Sequence, residues 1–509
     1  MSDYRELRCQ SAFSFLRASS LPEDLVAEAA RLDHGTLALG DRDGVYGAPR
    51  FFRDARRAGI RPLVGAHLSM ADGTTLYVLV ESRAGYRNLC KLVTRAKLGG
   101  SPSPWPSPQE ERERLRKGEG RVAWSDLERH AEGLLCLAGG DGGPVSGALG
   151  RLRSIFPGRV WIDLQRHLDP DEERRNRFLL DLAAAERVPV VATNDVRHAT
   201  RQARPLLDVF TCIREKTTLD TAGRMLLRNA ERHLKSGREM ERLFRDLPGA
   251  IRETRAVAER CEFTLADLGY RFPDLPLEPG ESADQRLRAL ADEGARRRYG
   301  TITPRIRSQL EHELAIIEKL RLAGYFLIVW DIMEFCRREK ILAQGRGSAA
   351  NSAVCYALGI TAVDAVGMDL LFERFLSEER GEWPDIDIDL PSGDRRERVI
   401  QYVYERYGRH GAGMTANLIT YRVRSAVREI GKALGFAPAE IDRLSGCLRN
   451  HGYVDDQDRL APQLRRAGLD PEAPRVRHLV RLASEIEGLP RHLGQHSGGM
   501  VIAAGRLDE

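Results

Sequence analysis

The chain has 509 residues, of which 42% are hydrophobic and 30% charged, and its net charge is only +5. Because one hydrophobic core rarely extends beyond about 250–300 residues, we expect two to four domains. The composition excludes a mostly disordered chain, and the sequence lacks the run of about 18 apolar residues that a transmembrane helix needs. The small net charge does not by itself indicate a nucleic-acid partner.

The N-terminus and the cysteines predict a cytoplasmic protein that does not associate with membranes. Asp3 and Glu6 lie among the first residues and no apolar core follows, so a signal peptide is not expected. The eight cysteines are scattered without a C-x-x-C pair. This pattern favours reduced thiols over a disulfide framework or a zinc site.

Residues 1–265 alternate between short apolar runs and amphipathic helical patterns, which predicts an α/β sheet or barrel. Helices are predicted at 25–32 and 83–97. After the second of these helices, residues 98–120 are rich in glycine, serine and proline and then in charge, so we expect a disordered insertion within one domain. The predicted strands are 37–39, 63–65, 76–80, 160–164 and 188–192.

A proline-rich linker at 266–280 marks the next boundary. After it, Leu310, Leu314 and Ile317 share a helical face. Further helical patterns end at Gly408 and at Gly435, where glycine is the favoured residue after a helix.

An acidic strand at 384–389 is the most informative segment. Side chains alternate across a strand, so Asp385, Asp387 and Asp389 share one face while Ile386 and Ile388 pack behind it. Carboxylates stacked in this way repel one another unless a cation lies among them, and Mg²⁺ prefers oxygen ligands. The alternative is an exposed strand whose acids face water.

A glycine-containing turn at 344–352 precedes the acidic strand and leads into an apolar helix at 353–358. Glycines allow close approach of a ligand, and the helix N-terminus is expected to offer free N–H groups to an anion. The alternative is a plain turn with a serine N-cap. A phosphate-binding turn followed by paired carboxylates predicts a nucleotidyltransferase with two metal ions.

These motifs resemble the palm motifs of the bacterial C-family DNA polymerases, the DNA polymerase III alpha subunit family. The motifs are 345–348, 372–375 and 384–389, and the resemblance covers essentially the whole chain. Segments 387–396 and 414–422 resemble the error-prone, damage-tolerant branch.

The resemblance implies a DNA polymerase that binds primer-template DNA, dNTPs and two Mg²⁺ ions in the palm. Asp385 and Asp387 would be catalytic metal ligands, with Asp389 beside them. A sliding clamp and other mutagenesis proteins are expected partners. Phosphate contacts are implied for Arg346, Gly347, Ser348, Arg374 and Arg380, and DNA contacts for Arg422, Arg424, Arg428 and Lys432, whose alternative is a solvated charged face.

Residues 1–265 resemble the PHP domain, a distorted β/α barrel that holds metal ions in its active form. Here Arg8, Arg42 and Arg197 stand in the metal-binding motifs. Arginine keeps its proton and repels a dication, so we expect a structural scaffold without metal. The candidate ligands that remain are Asp41, Asp43, His67, Asp195 and His198.

The resemblance divides the chain into a PHP-like barrel (1–265), a linker (266–280), the first part of a palm (281–414), a helical thumb (415–490) and the start of the returning palm (491–509). The chain is expected to end before the family's third catalytic carboxylate. Two alternatives stay open: a non-catalytic fragment that binds DNA or a protein partner, and a metal-dependent phosphoesterase acting through the barrel.

Overall fold

The structure is a computed structural model that describes residues 2–98, 120–140, 147–268, 277, 280–376, 386–448 and 457–509. Most of the predicted insertion and part of the predicted linker lie outside these residues. Contacts within the chain define two compact units. The first comprises Met1–Leu268, Ala416–Gly494 and Asp508–Glu509, and the second comprises Gly269–Thr415 and Gln495–Leu507. The five-part division stays a prediction.

The first unit contains a seven-stranded sheet that follows chain order. The fourth strand is antiparallel to both neighbours, and all other neighbouring strands are parallel. Cys9, the last residue of the first strand, forms a parallel bridge with Val196, which lies just beyond the seventh strand, so the sheet nearly closes. This geometry confirms the predicted distorted β/α barrel. The strands are β1 (Glu6–Cys9), β2 (Thr36–Arg42), β3 (Arg61–Ser69), β4 (Thr75–Val80), β5 (Leu134–Gly139), β6 (Val160–Gln165) and β7 (Val190–Thr193).

Both faces of this sheet are buried. In β5, Leu135 and Leu137 belong to one apolar cluster, whereas Leu134 and Cys136 belong to another that includes the helices around the sheet. Side chains alternate between the two faces of a strand, and here both faces are buried, so these strands are continuous apolar runs in the sequence. The helices up to residue 268 are α1 (Pro22–Arg31), α2 (Ala48–Arg57), α3 (Arg83–Leu98), α4 (Trp124–Arg129), α5 (Leu149–Ile155), α6 (Pro170–Glu186), α7 (Arg204–Glu215), α8 (Leu219–Ala222), α9 (Gly237–Leu243) and α10 (Pro248–Arg260).

The second unit packs helices around a core that includes Leu310, Leu314 and Ile317, as their spacing predicts. Two short antiparallel strands, β8 (Gln344–Arg346) and β9 (Asp387–Asp389), lie beside this core. The helices are α11 (Ala283–Tyr299), α12 (Pro304–Lys319), α13 (Ala323–Arg338), α14 (Ala353–Ala357) and α15 (Asp394–Tyr407).

Four more helices belong to the first unit, where they share an apolar cluster with α7. Gly435 has φ +73° and ends the first of them, and Gly408 has φ +78° and ends α15, so both predicted helix ends are confirmed. The four are α16 (Val423–Ala433), α17 (Pro438–Cys447), α18 (Gln457–Arg466) and α19 (Pro474–Ile486).

Two longer strands complete the structure. β10 (Ala412–Thr420) and β11 (Pro490–Ile502) pair with each other in a two-stranded sheet. None of the helices in the described part of the chain has the length and apolar character needed to span a membrane.

Candidate functional site

The carboxylate face of β9, which we define as the side chains of Asp387 and Asp389, carries two of the three predicted metal ligands. Both side chains are exposed, at 53% and 63%, and the intervening Ile388 packs toward the core. The backbone N–H of Ile386 donates to the Tyr325 hydroxyl at 3.0 Å. The predicted alternation is therefore present from 386 to 389. Asp385 and Arg380 lie outside the described residues.

Arg346 lies across from these acids on β8. The strand register pairs Arg346 with Asp387 and Gln344 with Asp389. The Arg346 guanidinium is 3.0 Å from an Asp389 oxygen through Nε and 3.6 Å from an Asp387 oxygen through Nη2. One guanidinium thus partly neutralises two carboxylates, in an exposed arrangement that contributes little to stability.

β8 and the turn after it each contain one glycine that the backbone requires. A Cβ on Gly345 would lie 2.8 Å from the backbone oxygen of Ile360, which accepts the Gly345 N–H. Gly347 has φ +69°, in the left-handed region where glycine is favoured. Residues 347–351 form a 3-10 helix that holds Ser348, and Arg374 is exposed at the end of another short 3-10 helix.

The expectation that the helix after this turn offers free N–H groups to an anion is wrong. The buried Glu313 carboxylate accepts hydrogen bonds from Ala353 N at 2.9 Å and Val354 N at 3.0 Å. It also accepts from the Ser352 hydroxyl at 2.7 Å, and Ser352 Oγ accepts from Cys355 N. The N-terminus of α14 is therefore occupied by an internal acid, whose burial raises its pKa.

The predicted DNA-contacting bases lie along the first helix after β10 and immediately before it. Arg422 precedes α16, and Arg424, Arg428 and Lys432 recur every four residues along its exposed side. Arg424 Nε donates to the Leu448 carbonyl at 2.9 Å, Arg428 pairs with Asp442 at 3.1 Å, and Lys432 pairs with Glu429 at 3.2 Å. These contacts suit a solvated face as well as a DNA-binding face.

In the barrel, four of the five candidate ligands lie in three different environments. Asp195 and His67 are neighbours, with His67 Nε2 3.7 Å from Asp195 Oδ1. Asp41 instead accepts from Ser11 and Ser14, and Asp43 accepts from the Ser69 amide and hydroxyl at 2.7 and 2.6 Å. His198, the fifth candidate, contacts the Thr200 carbonyl through Nδ1.

Three arginines surround Asp195. Arg197 donates to it at 2.8 Å, Arg8 Nε lies 3.3 Å away, and Arg232 also pairs with it. Burial opposes the ionisation of Asp195, but these charges outweigh burial and hold its pKa well below the usual range. Burial lowers the pKa of His67, and the charge of Arg8 lowers it further.

Sequence reasoning missed two residues of this buried cluster. Arg8 Nη1 donates to Asp163 at 2.5 Å, and Arg232 reaches Asp195 from the segment before α9. An acid inside the apolar strand β6 is the signal that could have identified Asp163, because a buried charge requires a partner. In the described part of the chain, no three histidine, cysteine, aspartate or glutamate side chains converge as a metal site.

Two family profiles match the sequence. The profile described as "Bacterial DNA polymerase III alpha NTPase domain" matches residues 285–509, and the PHP domain profile matches residues 6–178. The error-prone DNA polymerase of Rhodopseudomonas palustris is 42% identical over 99% of this chain and 45% of its own length. The chain is a homologue of the error-prone DNA polymerases.

Other error-prone DNA polymerases match equally well. Those of Dechloromonas aromatica and Pseudomonas paraeruginosa are 42% and 41% identical, each over 100% of this chain and 48% of its own length. The chain thus spans about half the length of these relatives. The predicted resemblance is confirmed. The structure of an amidohydrolase from Chromobacterium violaceum aligns with 38% of this chain and with 88% of the amidohydrolase chain. The sequence identity is 15%, and the TM-score of 0.28 is too low to support an argument.

Proposed function

We propose that the protein is an error-prone, DNA-directed DNA polymerase that joins nucleotides at the carboxylate face of β9. The observation that supports this proposal is the placement of Asp387 and Asp389 side by side and exposed, with Arg346 bridging them from β8. The relationship to error-prone DNA polymerases supplies the reaction class. The substrates proposed are primer-template DNA and dNTPs.

Asp387 and Asp389 are proposed to hold Mg²⁺ together with Asp385. The donor set fits the metal, because exposed carboxylates that share one strand face are hard oxygen ligands. When bound, two such ions supply activation of the primer 3′ hydroxyl and stabilisation of charge on the α-phosphate.

Arg346 is proposed to bind the triphosphate next to these carboxylates. Its planar guanidinium suits phosphate oxygens as well as carboxylates, and it already lies within 3.6 Å of both acids. Gly347 and Ser348 follow it in the turn, and Arg374 and Arg380 are proposed to add charge to the same site. Because Glu313 occupies the α14 N-terminus, side chains rather than this helix would carry the phosphate contacts.

The bases of α16 are proposed to grip the DNA backbone without reading sequence. Arg424, Arg428 and Lys432 share an exposed side of one helix. A sliding clamp and other mutagenesis proteins are proposed as partners of the whole protein. A barrel phosphoesterase is not proposed, because Asp195 is neutralised by guanidinium groups rather than available to a metal ion.

Primer extension by the natural gene product tests this proposal. Asp387→Asn is expected to lower the incorporation rate by about 10²-fold or more, because loss of one transition-state charge contact typically costs that much. Asp369→Asn is the matched control, since Asp369 is an exposed acid of the same unit that also pairs with an arginine, Arg305. Equal rates for Asp387→Asn and the wild type would place the chemistry elsewhere.

A further inference from the structure

A loop in the barrel, residues 11–20, brings three arginines around a fourth. Arg42 N donates to Ser14 Oγ at 3.1 Å, Arg214 Nη1 donates to the Leu16 carbonyl at 2.8 Å, and Ser19 N donates to the Arg197 carbonyl at 2.9 Å. Arg17 lies between these anchoring points. We define Arg17, Arg42, Arg197 and Arg214 as the arginine cluster.

The cluster lies at one end of the barrel. The loop follows β1, Arg42 is the last residue of β2, and Arg197 follows β7 by four residues. Because these three strands are parallel neighbours across the nearly closed sheet, their carboxyl ends meet at one edge. This is also the edge at which Asp43 and Asp195 lie.

Positive charge exceeds negative charge in this cluster. Arg42 is 3.5 Å from Asp43, and Arg214 pairs with Glu215 at 2.8 Å. Arg197 shares Asp195 with Arg8 and Arg232, which also lie beside Asp163 and Glu172. Within the described residues, the Arg17 guanidinium forms no hydrogen bond and no ion pair.

The side chains of the cluster are mostly buried but partly exposed to solvent. The side chains of Arg42, Arg197 and Arg214 are 21%, 22% and 27% exposed. Burial lowers the pKa of Arg17 to about 10, and the charges of Arg42, Arg214 and Arg197 lower it further. Asp43 attracts Arg17 and raises its pKa, but Asp43 already pairs with Arg42. An added anion would therefore lower the cost of this partly desolvated cation.

We propose that the arginine cluster is a binding site for a phosphate-class oxyanion, at the edge of the barrel where the related fold would hold metal ions. Guanidinium groups keep their protons, so they repel a dication and offer paired N–H donors to tetrahedral oxyanions. A phosphate group satisfies several of these donors at once, since it carries up to two negative charges. The group could be free phosphate or the terminal phosphate of a nucleic acid.

Calorimetric titration of the natural gene product with inorganic phosphate in low-salt chloride buffer tests the site. Saturable binding is expected, and Arg17→Gln should weaken it at least 10-fold. Arg50→Gln is the matched control, because Arg50 is a partly exposed arginine of the same unit that has its own partner, Glu23, at 2.5 Å.

Thermal unfolding provides a second readout that does not depend on heats of binding. Phosphate should raise the melting temperature of the wild type and of Arg50→Gln but not that of Arg17→Gln. Without phosphate, Arg17→Gln should be at least as stable as the wild type, because it removes an unpartnered charge. A marked loss of stability in Arg17→Gln without phosphate would show that Arg17 is structural and would overturn the proposal.

Two oligonucleotides distinguish the sources of the phosphate group. A short DNA strand with a 5′ phosphate that binds more tightly than inorganic phosphate, and more tightly than its 5′-hydroxyl counterpart, would identify a nucleic-acid end. If both strands bind equally and the binding of inorganic phosphate depends on Arg17, the ligand of the site would be free phosphate. Absence of saturable phosphate binding, or equal binding by wild type and Arg17→Gln, would refute the site without affecting the polymerase proposal.

Discussion

At the scale of residues, the barrel buries an acidic side chain, Glu6, and its hydrogen bonds offset only part of the effect of burial on its pKa. Glu6 is fully buried in β1, where it accepts hydrogen bonds from the Tyr4 hydroxyl at 2.5 Å and the Arg8 amide at 3.0 Å. Burial raises the pKa of Glu6 from 4.5 to about 7, although these hydrogen bonds oppose the shift. Glu6 therefore makes the stability of the first unit depend on pH.

We predict that the free energy of unfolding falls as the pH rises from about 4.5 to about 7. The folded protein keeps the Glu6 proton up to about pH 7, whereas the unfolded chain loses it near pH 4.5. Within that window unfolding releases a proton, so a rise in pH favours it, by up to about 3 kcal/mol. Urea denaturation across this range should show a flatter profile for Glu6→Gln. The control Glu128→Gln, at an exposed acid, should keep the wild-type slope; matching slopes for all three proteins would contradict the prediction.

Individual residues differ in how well the sequence predicts them. The alternation of Asp387, Ile388 and Asp389 is a local property of a strand, so the sequence predicts it correctly. Glu313 and Asp163 act through partners far along the chain, at Ser352 and Arg8, and no local pattern identifies those partners. Each is nevertheless an acid among apolar residues, which is a signal of a buried contact.

At the scale of elements, α14 shows how a short helix is stabilised by a distant one. Its five residues are too few to be stable alone. The Glu313 carboxylate from α12 satisfies two of its first backbone N–H groups and the Ser352 hydroxyl. The turn that carries Arg346, Gly347 and Ser348 is thereby connected to the core of the second unit.

Glu313→Ala is expected to lower the free energy of unfolding by at least about 2 kcal/mol, because it leaves buried donors without an acceptor. Glu311→Ala is the matched control, since Glu311 is an exposed acid on the same helix. Urea denaturation followed by tryptophan fluorescence measures both. A cost for Glu313→Ala no larger than that for Glu311→Ala would show that the cap does not stabilise the second unit.

The strand patterns also show the limits of prediction for elements. The apolar runs predict β2, β3, β4, β6 and β7, whereas β1 and β5 are not predicted. Glu6 and Arg8 interrupt the apolar pattern of β1, and their burial depends on residues elsewhere in the barrel. β5 is a short apolar run that periodicity does not distinguish from a buried helix.

At the scale of the whole molecule, the barrel class follows from the alternation of strands and helices, while the grouping of segments into units does not. The helices of 416–494 share a core with α7, more than 200 residues earlier in the chain. Their apolar faces predict that each helix is packed against another element. The identity of that element, α7, is visible only in the folded chain.

The bases of α16 permit a prediction about DNA binding. If Arg424, Arg428 and Lys432 contact phosphates, replacing all three by glutamine should reduce the slope of log K against log salt by about 2 to 3, since each contact contributes about 0.9. Fluorescence anisotropy with a labelled primer-template measures the slope. Arg481→Gln, at an exposed arginine of α19 near Glu485, is the control. An unchanged slope in the triple variant would identify a solvated face.

Binding of Mn²⁺, a paramagnetic substitute for Mg²⁺, at the carboxylate face tests the central claim most directly, because every proposed step of nucleotidyl transfer depends on that site. Electron paramagnetic resonance titration of the wild type should show weak binding, in the millimolar range expected of two or three exposed carboxylates. Asp387→Ala should abolish this binding, and the control Asp369→Ala should retain it. Tight Mn²⁺ binding that survives Asp387→Ala would contradict the assignment of the metal site to β9.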